Sequence, residues 1–242
     1  MRLIRGTGAT RRLELRLLAA VPGLAHAFTL RGADPRAALR EAVGSEPPLR
    51  TLRQVHGAAV HVVDAPGDGP LAGPAGAAEG DALATRARGV AVAVFVADCL
   101  PILACDPIGG AIAAVHAGWR GTVRGVLGEA LRALRERLGA RMEDVRVGLG
   151  PGIGPCCFEV GEEVVDSLLR FDPAAAGCVR RAGPRPSVDL AEANRRQAAA
   201  AGVRAEHIES AEWCTRCSPE LASYRRDGER AGRMAGVIAW RA

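Results

Sequence analysis

The stretch VAVAVFVADCLPILACDPIGGAIAAVHAGWRG, residues 90–121, holds three short apolar runs, at 90–97, 101–105 and 111–117. Each run is of strand length and is bounded by turn formers, which predicts strands buried on both faces rather than one long helix. Immediately downstream the period changes: Val126, Leu127, Ala130, Leu131, Leu134 and Leu138 fall on one helical stripe, so a helix is expected over residues 122–138.

Upstream, LRTLRQ (49–54) and AAVHVVD (58–64) read as a pair of strands with Gly57 at the turn between them. The segment APGDGPLAGPAGAA (65–78) has too much Pro and Gly to keep a period and reads as a loop. Further helices are expected near 162–169 and over 190–201, the latter capped by Asp189 and ended by Gly202, and a last strand over 236–240. Strands cluster instead of alternating strictly with helices. The expected fold is therefore α/β, a single domain over residues 1–242 with a mixed β-sheet core flanked by helices.

Composition narrows the function. The chain has 242 residues, 48% hydrophobic and only 3% aromatic, so Val, Leu, Ile and Ala must fill the core. Its net charge is +5, but the arginines are interspersed with Glu and Asp. That pattern argues against a nucleic-acid partner and suits a small anion such as phosphate. No stretch reaches the ~18 apolar residues of a membrane span and the N-terminus lacks a secretory pattern, which predicts a cytoplasmic protein with no membrane partner. Seven cysteines is an odd number for a disulfide framework and favours reduced thiols.

The residues that bear chemistry fall in three places. His56 in RQVHG, Cys99 in ADCLP and His116 in VHAGW supply two imidazoles and one thiolate, enough to hold Zn²⁺ with one position open. A competing reading makes Cys99 a nucleophile with His116 or His56 as its base, a role that zinc ligation excludes. Asp98 would be costly in its apolar run without a partner, for which Arg120 is the candidate. Second, GLGPGIGPCCFEVG (148–161) could turn backbone amides toward an anion just before a helix, or be a rigid loop in which Cys156 and Cys157 merely pack. Third, Cys214 and Cys217 have CxxC spacing but lack a second pair for a zinc site, while Tyr224, Arg225 and Arg226 form either an anion clamp or a solvated basic turn.

Taken together, HAFTLR (26–31), RQVHG (53–57), EGDALAT (79–85), ADCLP (97–101), VHAGWRGT (115–122), GPGIGPCCFEVG (150–161), DLAEAN (189–194) and CTRCSPELASYRRDGERAGRM (214–234) closely resemble the laccase-domain, or YfiH-like, family. Its members are also called multicopper polyphenol oxidases and are now regarded as purine nucleoside phosphorylases. The resemblance implies zinc, with copper as the alternative, on His56, Cys99 and His116, which would act as the catalytic centre. It further implies phosphorolysis of adenosine, inosine, guanosine and methylthioadenosine, with some adenosine deamination. Candidate substrate-binding residues are Arg31, Asp98, Arg120, Tyr224, Arg225 and Arg226. The chain departs from the family in having Gly32-Ala33 after Arg31, where Gly-Gly is common, and Ala222 where an aromatic often precedes the SYRR motif.

Three other functions compete with this one. A multicopper oxidase needs many histidines in HxH pairs, and this chain has five histidines and no such pair. A cysteine-dependent hydrolase editing peptidoglycan precursors would use Cys99 with a histidine. A non-catalytic nucleotide-binding or partner-binding module would have no need of all three ligands.

Overall fold

A computed structural model describes residues 3–44, 47–63 and 78–241; the expected loop at 65–78 lies, apart from its last residue, outside the described residues. In chain order the strands are β1 (Leu3–Arg5), β2 (Arg12–Glu14), β3 (Leu24–Thr29), β4 (Leu49–Arg50), β5 (Val60–Val63), β6 (Ala82–Thr85), β7 (Ala91–Val96), β8 (Leu100–Cys105), β9 (Ile112–Ala117), β10 (Arg146–Leu149), β11 (Val179–Arg180), β12 (Ser187–Val188), β13 (Ile208–Ser210) and β14 (Met234–Trp240). The α-helices are α1 (Arg16–Ala19), α2 (Pro35–Val43), α3 (Trp119–Thr122), α4 (Val126–Leu138), α5 (Glu162–Phe171), α6 (Leu190–Ala200) and α7 (Tyr224–Asp227).

The expected mixed core is divided between two six-stranded sheets, in the orders β1-β2-β3-β14-β7-β4 and β13-β10-β8-β9-β6-β5. Both are mixed, because β4 runs parallel to β7, and β5 and β13 run parallel to β6 and β10, while the other pairs are antiparallel. The period of two in each strand sorts its side chains between layers. In β9, Ile112 and Ala114 join Phe28, Val94 and Ile238 between the sheets, whereas Ala113 and Val115 pack on the outer side with Leu127, Leu131 and Leu134 of α4. Each of those leucines is fully buried, and each contributes roughly 1.5–3 kcal/mol. The other outer face is covered by α2 through Leu39 against Ala27, Ala93 and Val237. The runs in the central stretch are apolar throughout because each strand has a packed layer on either side.

Two expectations need correction. The 49–54 and 58–64 segments do not pair: β4 joins β7 in one sheet and β5 joins β6 in the other. The helix expected over 122–138 is broken, since Gly125 adopts φ 74° between α3 and α4 and no residue with a Cβ takes that conformation cheaply. Asp189 caps α6 as expected, its carboxylate accepting from the Glu192 amide at 3.0 Å.

The chain passes from one sheet to the other between β4 and β5, between β6 and β7, between β7 and β8, and between β13 and β14. His56 lies on the crossing from β4 to β5, Cys99 on that from β7 to β8, and Tyr224 and Arg225 on that from β13 to β14. His116 sits near the end of β9, paired in register with Pro101 just beyond Cys99. Remote parts of the sequence are thus delivered to one place.

Candidate active site and metal centre

His56, Cys99 and His116 converge as their residue types suggested. Cys99 Sγ lies 3.8 Å from His56 Nε2, the two imidazole rings stand 4.8 Å apart edge to face, and the three ligand atoms are all within 4.8 Å of one another. A tetrahedral ion with Zn–N of ~2.0 Å and Zn–S of ~2.3 Å separates N from S by ~3.6 Å, so the set is already spaced to hold a metal ion. Gly118 makes this approach possible: a Cβ there would stand 2.9 Å from Cys99 Sγ and 3.1 Å from His56 Cδ2.

Asp81, at the entry to β6, organises both histidines. Its fully buried carboxylate accepts from His116 Nδ1 at 2.7 Å and the His56 amide at 2.9 Å through Oδ1, and from the amides of Gly57 at 2.6 Å and Val55 at 3.3 Å through Oδ2. Burial works to raise the Asp81 pKa, but these hydrogen bonds and the His116 charge hold it below the usual carboxylate range. Because His116 Nδ1 is engaged by Asp81, Nε2 is the nitrogen of His116 left for a metal or for Cys99. Burial opposes charge on His116, yet hydrogen bonds to Asp81 and Cys99 lift it to about 9. Burial likewise opposes the Cys99 thiolate, and hydrogen bonds to His116 and His56 bring the thiol down to about 7. The thiolate is the form that ligates metal.

Two non-glycine residues here occupy the left-handed region, His56 with φ 59° and Asp98 with φ 82°. Each such residue costs about 1–3 kcal/mol and needs surrounding structure to hold it. His56 is held by its amide bond to Asp81 and by Arg124 Nη1, which donates to its carbonyl at 3.0 Å. Asp98 accepts from Thr215 Oγ1 at 2.5 Å and the Arg225 amide at 2.6 Å, and its carbonyl accepts from Ile153 N at 2.8 Å. The expected Asp98–Arg120 pair is replaced by these contacts, and the Arg120 guanidinium instead lies 4.5 Å over the Trp119 ring.

His56, Cys99 and His116 open into a cavity of about 640 Å³, also lined by Asp98, Arg120, Tyr224 and Arg225 of the expected residues. Phe95, Trp119, Ile153 and Phe158 supply apolar wall, and Arg233 adds a third guanidinium against one lining carboxylate among the described residues, Asp98. That balance attracts anions. Arg31 and Arg226 do not line it. Arg31 Nη1 pairs with Asp227 at 3.1 Å. Arg226 donates to the carbonyls of Thr215, Arg216, Ser218 and Leu221 and to the Asp227 carboxylate, so its donors are used inside its own turn.

The glycine-rich loop also departs from its anion-binding reading. Its amides are engaged by the chain itself, Gly150 N with the Pro101 carbonyl, Ile153 N with that of Asp98 and Gly154 N with Cys214 Sγ. The first turn of α5 carries Glu162 and Glu163, which disfavour an anion. Asp81 and Arg233 are the residues that reading by motif passed over. Asp81 had a signal, an acid entering the apolar run DALAT, where burial without partners is costly.

Residues 31–241 match the family model described as multi-copper polyphenol oxidoreductase laccase. The chain belongs to this laccase family. Within it, the chain is similar to purine nucleoside phosphorylase YlmD of Geobacillus stearothermophilus, with 42% identity over 66% of this chain and 60% of that protein. The crystal structure of YlmD superposes with a TM-score of 0.84 at 30% identity, covering 100% of both chains. A purine nucleoside phosphorylase of Deinococcus radiodurans is 41% identical over 85% of this chain and 76% of its own length. Adenosine deaminase RL5, from an unknown prokaryotic organism, is 40% identical over 63% of this chain and 59% of its own length. The alignments to YlmD and RL5 thus span about three fifths of those relatives.

Proposed function

We propose that this laccase-family chain is a zinc-dependent purine nucleoside phosphorylase, converting adenosine, inosine, guanosine and methylthioadenosine with phosphate to free base and pentose 1-phosphate, with accessory adenosine deamination. The observation that carries the reading is the union, in one cavity of about 640 Å³, of the His56/Cys99/His116 centre, three arginines and an aromatic wall. Relatives named for phosphorolysis and for adenosine deamination give the substrate class.

The donor set of two imidazoles and one thiolate suits zinc, with His56 Nε2, Cys99 Sγ and His116 Nε2 as its ligands. Bound there, zinc supplies Lewis-acid polarisation of an oxygen in its open position. Asp81 holds His116 in the ligating tautomer and anchors the His56 backbone. The Arg120, Arg225 and Arg233 guanidiniums bind phosphate and hold it against the sugar. Trp119 and Phe158, each with one face under a guanidinium (Arg120 and Arg225), supply apolar wall beside the purine and exclude water from one side of the site. Phosphate oxygen then bonds to the anomeric carbon as the glycosidic bond breaks, and its electron pair leaves with the base, which takes a proton. Cytoplasmic residence would match this metabolic role, and among the described residues no helix is long and apolar enough to cross a membrane.

One geometry favours a second reading. Asp81 accepts from His116 Nδ1 at 2.7 Å and the Cys99 Sγ lies within 4.8 Å of the His116 ring nitrogen, a carboxylate, imidazole and thiol of the kind a cysteine-dependent hydrolase of peptidoglycan precursors would use. Polyphenol oxidation with copper, the activity in the family's name, has less support, since the described histidines contribute one three-ligand cluster instead of HxH pairs.

Incubating metal-quantified protein with adenosine and phosphate should yield adenine and ribose 1-phosphate, and Cys99→Ala should lose activity together with the metal of this centre. Absence of product with every purine nucleoside would defeat the proposal. A metal-free native centre whose Cys99 is needed to hydrolyse a cell-wall precursor would establish the second reading instead.

A further inference from the structure

Four cysteines unused by this chemistry meet at a second place. Cys156 and Cys157 lie in the loop between β10 and α5, and Cys214 and Cys217 in the crossing from β13 to α7. In sequence the CxxC pair is two ligands short, and folding supplies both. The four Sγ atoms lie within 4.8 Å of one another, with Cys217 Sγ 3.4 Å from Cys157 Sγ and 3.7 Å from Cys156 Sγ. A zinc ion with four Zn–S bonds of ~2.3 Å makes a tetrahedron whose edges are ~3.8 Å. The observed spacing fits that figure and is far from the ~2.0 Å of a disulfide; all four are free thiols.

We infer that Cys156, Cys157, Cys214 and Cys217 form a second, closed zinc site, structural in role and separate from the His56/Cys99/His116 centre. The backbone is arranged for it before any metal arrives. Gly152 and Cys214 form a parallel bridge, closed by Thr215 N donating to the Gly152 carbonyl at 3.0 Å. Gly154 N donates to Cys214 Sγ at 3.3 Å, a bond that favours the thiolate. A Cβ on Gly154 would stand 3.2 Å from Cys214 Cβ and 3.4 Å from Cys156 Sγ, tight enough that glycine is the residue this turn accepts without a shift. Arg226 holds the carbonyls of Thr215, Arg216 and Ser218, fixing the turn that carries Cys214 and Cys217.

The donor chemistry chooses the metal. Four thiolates in a tetrahedron select zinc or iron over magnesium or calcium, and a full set of protein sulfurs leaves no position for water or substrate. On binding, the remaining thiol protons go to solvent, and the net charge of the Zn–S₄ unit is solvated because Cys156 and Cys217 are exposed. The consequence reaches the cavity. The site clips the loop bearing Ile153 and Phe158 to the segment bearing Thr215 and Arg225, and Thr215 and Arg225 are the residues that hold Asp98.

The test counts metal and does not depend on any enzymatic activity, so it stands whether or not phosphorolysis is found. Purified native protein should carry two zinc ions per chain, falling to one in Cys99→Ala and to one in the Cys156→Ser/Cys217→Ser double variant. Cobalt loaded into Cys99→Ala should give the intense visible bands of a tetrathiolate complex, absent when the two serines are added. Should the double variant fail to fold, titrating the native Cys99→Ala protein with a mercurial decides the matter, because zinc must be released as the cluster thiols react. A double variant with the full native zinc content, iron in place of zinc, disulfides among the four cysteines in freshly purified protein, or thiols that react with no zinc release would each overturn the assignment.

Discussion

Replacing Asp81 with Asn removes one charge and almost no volume, so its effect is set by the hydrogen bonds around that residue. Every partner of the Asp81 carboxylate is a donor: the amides of Val55, His56 and Gly57, and His116 Nδ1. An asparagine must therefore turn its NH₂ toward donors, whichever way it sits. With the amide oxygen on the Val55 and Gly57 side, the NH₂ faces the His56 amide and His116 Nδ1. The opposite rotamer sets it against two backbone amides that cannot change protonation, which is worse. In the better arrangement the His56 N–H is orphaned, at a cost of about 1–3 kcal/mol. His116 relieves the second conflict by giving up the Nδ1 proton and keeping one on Nε2, the nitrogen a metal would need.

Asp81→Asn should thus weaken metal binding at the His56/Cys99/His116 centre about 10–100-fold, or about 1.4–2.7 kcal/mol, without touching a ligand. The melting temperature of the metal-free protein should drop about 2–12 °C, at about 2–4 °C per kcal/mol for a chain of this size. Competition with a chromophoric zinc chelator measures the first effect, and calorimetry of the chelator-treated protein the second. Native zinc affinity in Asp81→Asn would refute the argument that Asp81 sets the His116 tautomer, even if stability fell as expected.

Gly118→Ala should lower zinc affinity at the same centre while sparing the fold, because the new methyl meets Cys99 Sγ at 2.9 Å and His56 Cδ2 at 3.1 Å; equal zinc affinities by chelator competition would contradict it. Arg226→Ala should destabilise by about 1–3 kcal/mol in urea unfolding, since it strips donors from four carbonyls, and Arg226→Lys should not restore the loss because an ammonium lacks the planar fork. His26, 2% exposed, accepts from the Leu15 amide through Nε2 at 2.9 Å, and burial first, then the nearby Arg12 charge, lowers its pKa to about 3. The unfolded chain binds this proton below pH ~6.5 and the folded one only near 3, so stability is lost progressively as pH falls through that window. Between pH 7 and 4.5 the native protein should lose about 2.5 kcal/mol more than His26→Gln in urea titrations, and parallel losses would rule out His26 as the cause.

The range of the forces involved separates the features legible in the sequence from those that were not. Strands β7, β8 and β9 were legible because apolar residues bounded by turn formers report burial, which is a property of each residue alone. Their division between two sheets was not, since Val96 and Leu100 are four positions apart and nothing in their own apolarity says that the chain crosses between layers there. The candidate ligands His56, Cys99 and His116 were legible by chemical type, and the fold brings them together. The role of Arg226 was left open by the same criterion, because a guanidinium satisfies carbonyl groups as well as phosphate and only the folded turn decides which it meets.

Backbone preference and chemistry conflict at the crossings between the sheets. Local preference would place glycine at φ 59° and φ 82°, yet the chain has His56 and Asp98 there, each at about 1–3 kcal/mol of strain. At 98 a glycine would relieve the backbone and remove the carboxylate that binds Thr215 and Arg225; at 56 it would remove a candidate metal ligand. Asp81 and the Asp98 carboxylate itself provide hydrogen bonds that hold these conformations. Strain at the crossings is therefore what permits the peptide next to Cys99, and the one bearing His56, to turn their side chains into the cavity while the strands on either side continue into different sheets.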